Sequence, residues 1–95
     1  MALTRGDFRE YDFNRMVVSF TMKNDEANVV CAISTDAMDA LEGSSRTPPA
    51  QREQQFLRLR DRIEERAARK FSDVELEGNP PGVILRAIDF REAVK

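Results

Sequence analysis

Met16-Val17-Val18-Ser19-Phe20-Thr21-Met22, followed after a polar Lys23-Asn24-Asp25-Glu26-Ala27 turn by Asn28-Val29-Val30-Cys31-Ala32-Ile33, is the stretch on which the fold turns. In the first run Met16, Val18, Phe20 and Met22 alternate with Val17, Ser19 and Thr21, the period-two pattern of a strand with one face in a core. The second run is rich in β-branched residues, so the two together predict a β-hairpin. Upstream, Phe8 to Phe13 reads as a short edge strand, with residues 1–10 either frayed or part of that strand.

Downstream, Ser34, Thr35 and Asp36 offer N-cap chemistry ahead of Ala37, Met38 and Leu41. Gly43 suits the left-handed residue that closes a helix, so a helix of about two turns follows the hairpin. Ser44-Ser45-Arg46 reads as loop. Thr47-Pro48-Pro49 then reads as a helix start with Thr47 as N-cap. From there to about Lys70, Phe56, Leu59, Ile63 and Ala67 recur at helical spacing, with Phe71 at the end, and mark one arc of a long helix. Val74 and Leu76 alternate with Asp73, Glu75 and Glu77. The turn cluster Gly78-Asn79-Pro80-Pro81-Gly82 separates them from a β-rich run, Val83 to Ile88, which predicts a second hairpin.

Strands, two helices and strands again predict an α+β domain. The expected form is a small antiparallel sheet of about four strands, with hairpins at both ends and one short and one long helix on one face. Residues 1–95 fit a single domain. Val18, Phe20, Val29, Cys31, Ile33, Phe56, Ile63 and Leu85 are the expected core.

Several of these stretches resemble a group of small bacterial proteins known as domain of unknown function 1488. The likeness lies in Arg15 to Phe20, the strand end Cys31-Ala32-Ile33-Ser34 and the helix Asp36-Ala37-Met38-Asp39-Ala40-Leu41. It continues in Phe56, Arg60, Ile63, Glu64, Ala67, Ala68, Arg69 and Lys70, and in Gly82-Val83-Ile84-Leu85 leading to Asp89-Phe90. Asp73 to Pro81 departs from it by its length, and the first hairpin turn by lacking a glycine. The resemblance implies a fold and carries over no catalytic residue.

Composition narrows the function classes. A formal net charge of -2 supplies no overall field toward nucleic acid or anionic lipid. The start MALTRGDFRE sets charges where a signal peptide needs an apolar stretch, and no run approaches a membrane span, so the chain is expected to stay in the cytoplasm with no membrane partner. There is no histidine, which removes serine–histidine and cysteine–histidine mechanisms. Cys31 is the only cysteine and is expected to be an inert strand residue. Asp36 with Asp39, and Asp73 with Glu75 and Glu77, read as solvated carboxylates. Asp73, Glu75, Glu77 and Asn79 lack the spacing of a calcium loop. No enzyme activity, metal or cofactor is expected.

One feature rises above this background. Between Arg52 and Lys70 there are 7 basic and 4 acidic residues, a local charge of +3 that leaves -5 elsewhere. At ~100° per residue Arg58, Arg62, Arg66 and Arg69 fall on one flank of the long helix. Arg58–Asp61, Arg62–Glu65 and Glu65–Arg69 are expected to offset the like-charge ladder. Arg60 projects instead near the apolar arc, with Glu64 its expected partner.

The leading expectation is a non-catalytic module in which a helix or sheet face meets another protein, a homodimer being one form of it. The alternative is an anion or nucleic-acid binder working through the arginine flank, although no aromatic is interleaved there to stack on bases.

Overall fold

In the computed structural model, which describes residues 3–43, 47–78 and 81–90, four strands form one sheet in the order β1-β2-β3-β4. β1 spans Thr4–Asp12, β2 Val17–Asn24, β3 Ala27–Ser34 and β4 Val83–Leu85; α1 spans Thr35–Glu42 and α2 Arg52–Ser72. The α+β class, the four strands and the short and long helices are as expected from the sequence.

The alternation in β2 sets the register. Val18, Phe20 and Met22 are buried together with Cys31 and Ile33 of β3, and Phe56, Leu59, Ile63 and Ala67 of α2 close over them. Met16, read as the first core residue of this strand, instead stands in the β1–β2 turn with φ 57 and is exposed. Its carbonyl accepts from the Thr35 N–H, so the residue ties the turn to the start of α1. Val29 is half-buried and packs against the core from the side.

β1 is longer than the Phe8 to Phe13 expected. Two bulges, between Arg5 and Phe8 and between Phe8 and Glu10, lodge extra residues against β2. The Thr21 hydroxyl oxygen accepts from the Asp7 N–H within the irregular stretch. Bulges and charges along this strand blunt an edge that would otherwise invite another chain.

Ser34 caps α1 by accepting from the Ala37 N–H, and Gly43 closes it in the left-handed region at φ 68. α2 has no side-chain cap. Thr47, expected as its N-cap, spends its hydroxyl on Asp39, and a 3-10 turn, Pro49–Gln51, leads into the helix.

The second hairpin is largely replaced. Among the described residues only Glu77 and Gly82 bridge there in antiparallel fashion, and β4 pairs in parallel with β3 through Cys31↔Val83, Ala32↔Ile84 and Ile33↔Leu85. The sheet is therefore mixed. A parallel partner requires a crossover, which α1 and α2 supply on the way from β3 to β4. Gly82 is required where the strands meet, because a Cβ there would strike the Val30 carbonyl oxygen. The Ser44-Ser45-Arg46 loop and the Asn79-Pro80 part of the turn cluster lie outside the described residues.

Candidate functional site

Among the described residues, helices cover one face of the sheet and leave the other uncovered. Since Val18, Phe20, Cys31, Ile33 and Leu85 point into the core, the alternate residues point away from it. Glu10, Ser19, Ala32 and Ile84 stand abreast across the four strands, and Asp12, Val17 and Ser34 form the next row. Thr21 and Val30 make a third. The centre of this face, Val17, Ser19, Thr21, Val30, Ala32 and Ile84, carries no charge.

Val30 is 49% exposed, an unusual solvent contact for a β-branched residue in an interior strand. Phe13 at 64%, Met16 at 46% and Ile88 at 67% add apolar surface at one end of the sheet. Tyr11 meets Phe13 edge to face, with ring centroids 6.1 Å apart, and stands within hydrogen-bond reach of the Met16 sulfur.

Two hollows run along this face. The larger, about 500 Å³, lies among Arg15, Val17, Ser34, Asp36, Arg86 and Ile88; the smaller, about 160 Å³, among Arg15, Ser19, Val30, Ala32 and Gly82. Arg15 and Ile84 border both, so the hollows are two lengths of one shallow trough crossed by the Arg15 side chain. Arg86 is held by Glu77 in a two-pronged pair at 2.7 and 2.9 Å, which holds the Glu77 carboxyl below its usual range. Arg15 has no side-chain partner among the described residues.

The helical side is arranged differently, with its charges tied off inside the molecule. Arg5 donates to Glu64 at 2.8 Å and Asp61 at 2.7 Å, and Arg60 donates to Glu64 at 2.9 Å and to the Gly6 carbonyl at 2.7 Å. The Arg60 guanidinium also sits 5.8 Å from the Phe56 ring centre, so its stem and head both brace β1 against α2. At the far end Lys70, nearly buried, donates to the Ile84 carbonyl and to Asp89, and holds β4 and the 3-10 turn Ala87–Phe90 against α2.

A third cluster joins α1 to α2. Arg52, 4% exposed, donates to Asp39 at 2.8 Å and to Gln55 at 2.6 Å; the Gln55 amide donates in turn to Asp39 and Glu42. Burial works to raise the Asp39 pKa, but hydrogen bonds from Arg52, Gln55 and Thr47 together outweigh it and hold the carboxyl below its usual value.

The four arginines of the predicted flank do lie along one side of α2, and the structure divides them. Arg58 grips Glu42 through two bonds, at 2.8 and 3.1 Å. Arg66 donates to the Asp89 carbonyl at 2.7 Å, with its carboxylate 3.6 Å away. Arg62 borders a hollow of about 290 Å³ with Ala40, Leu41, Ala87 and Phe90, and neither it nor Arg69 has a partner among the described residues. Of the expected pairs within the helix, Arg58–Asp61 gives way to bonds reaching other elements, Arg58 to Glu42 and Asp61 to Arg5, while Arg62–Glu65 and Glu65–Arg69 do not form.

Burial pushes the Cys31 thiol up to about 12, which keeps it protonated and unreactive at neutral pH. Asp36 is exposed while Asp39 belongs to the Arg52 cluster, so these two carboxylates do not share a site. Among the described residues no three acidic or cysteine side chains gather as a metal site would require. No helix among them is long and apolar enough to cross a membrane.

Sequence reasoning recognised Val17, Ser19 and Thr21 as the side of β2 turned from the core. It missed Arg15, Val30, Ala32 and Ile84 as parts of the same surface. The alternation in Asn28 to Ile33 held part of that signal, but the contributions of Arg15 and Ile84 depend on the parallel β3–β4 pairing.

Comparison with known proteins agrees with this architecture. The family described as "Protein of unknown function (DUF1488)" matches residues 5–80. A crystal structure of a protein of unknown function from that family, from Shewanella loihica PV-4, is similar over 90% of this chain and 93% of its own length, with a TM-score of 0.77 at 16% identity. At that identity the likeness concerns the fold. No match emerges among curated proteins.

Proposed function

We propose that this chain, which belongs to the DUF1488 family of proteins of unknown function, is a non-catalytic interaction module that docks another protein on the helix-free face of its sheet. One contrast carries this reading. Charges on the helical side are largely consumed by internal pairs, while the bare face presents an uncharged centre around an exposed Val30. Surfaces that meet protein are depleted of charge at their core and ringed by polar groups, and this face has that layout.

A photo-crosslinking residue placed at Val30 in cells, with a matched one at exposed Glu65 on α2, tests it. Protein adducts at position 30 and not at 65 are expected. Adducts at 65 alone, or at neither position, would defeat the proposal.

The alternative is binding of an anion or nucleic acid through the arginine flank. Its support is that Arg62 and Arg69 lack partners among the described residues. Against it, Arg58 and Arg66 are already engaged by Glu42 and Asp89, which halves the charge on offer.

A further inference from the structure

We infer that the partner on the helix-free face is a second copy of this chain, related by a two-fold axis running parallel to the strands. This rests on the docking reading above and adds the identity of the occupant.

On the β1 side, Glu10 and Asp12 stand beside Ser19 and Val17, and Glu10 has no partner among the described residues. Toward β4, the Arg15 side chain lies over the trough beside Ala32, Gly82 and Ile84. Asp36 and Glu77 are the acids bordering that trough; Glu77 is already held by Arg86. Among the described residues Arg15 is thus the unpaired cation at the trough, while Lys23, also without a side-chain partner, lies on the same face at the opposite end of β2.

A two-fold axis along the strands preserves height on the sheet and exchanges its left and right sides. It therefore sets β1 of each copy over β4 of the other. Ile84 and Glu10 belong to the same row, so the Arg15 of one copy, lying by Ile84, comes opposite the Glu10 of the other. The same contact forms twice, as an isologous interface requires. An axis across the strands would instead set β1 against β1 and would bring no Arg15 opposite Glu10.

The small side chains between these edges, Ser19 and Ala32, allow two sheets to approach at the usual ~10 Å. Strands of 8 residues rise about 26 Å, and four strands span about 19 Å, so the projected face is at most about 500 Å², β4 being only 3 residues long. That falls short of the ~800 Å² per partner of a standard interface and places the pair among weak, concentration-dependent contacts.

Charge reversal tests both the partner and the axis. In sedimentation experiments the wild-type chain is expected to pass from monomer to dimer with rising concentration. Glu10→Arg alone and Arg15→Glu alone are each expected to dimerise at least about tenfold more weakly, because each sets like charges opposite one another. An equimolar mixture of the two variants restores both contacts and is expected to give a heterodimer. Melting curves matching wild type establish that the variants are folded.

A wild-type chain monomeric at every concentration, single variants that dimerise as wild type does, or a mixture that stays monomeric would each overturn the inference. The crosslinking experiment separates its failure from that of the docking reading. Adducts at position 30 to a different polypeptide would sink the second copy alone, whereas no adducts there would sink both.

Discussion

Val74 shows what a single residue can carry against its own preference. It follows α2 with φ 57 and is 75% exposed. The Val74 N–H donates to the Phe71 carbonyl and the Glu75 N–H to that of Lys70, the bond pattern of a helix ending in which glycine normally holds the left-handed position. A β-branched side chain there is strained by ~1–2 kcal/mol, and glycine would relieve that while adding some chain entropy to the unfolded state. Val74→Gly should therefore stabilise the protein by about 0.5–1 kcal/mol, read as a higher denaturant midpoint at unchanged slope. A lower midpoint would mean that the exposed valine makes a contact worth more than its strain. Sequence reading placed Val74 in a strand, because alternation with Asp73 and Glu75 looks the same whether or not a partner strand arrives.

At the scale of elements, the Asp39–Arg52–Gln55 cluster decides how α1 sits on α2. Arg52 is nearly buried, so removing its carboxylate partner leaves an unpaired charge away from water. Asp39→Ala should cost roughly 3 kcal/mol of stability. The pH dependence follows from the direction of the Asp39 shift. With the folded carboxyl below its ordinary value, the unfolded chain binds more protons as acid is added. The stabilisation is full above the unfolded pKa of ~4 and is lost as pH falls through the lower folded value. Denaturant titrations from neutral pH downward should show a shallower acid loss in Asp39→Asn than in wild type; identical slopes would place the acid sensitivity elsewhere.

The same scale shows what was legible in the chain. Period-two alternation in β2, the Ser34 cap, the Gly43 stop and the Phe56–Leu59–Ile63–Ala67 arc are local signals, and each element formed where its signal lay. The parallel seat of β4 was hidden, since Val83–Leu85 pairs with residues some fifty positions earlier. The arginine flank was half visible. Helical geometry puts Arg58 and Arg66 on one side, but Glu42 and Asp89, which engage them, arrive from α1 and the last 3-10 turn.

For the molecule as a whole, the division of labour is between a helical side sealed by its own ion pairs and a sheet side left open. The comparison that tests this most directly sets two surface variants against each other. Val30→Arg/Ala32→Arg places charge on the open face, and Arg62→Gln/Arg69→Gln removes it from the flank of α2. Each is expressed in its own cells, verified as folded by melting, crosslinked in the intact cells so that a weak complex is retained, and sized in extracts against the 10.9 kDa of the single chain. The account predicts that wild type and the flank variant run in a larger complex and that the face variant runs as the lone chain. A complex that survives on the face variant and disappears with the flank variant, or a wild-type chain that runs alone, would contradict it.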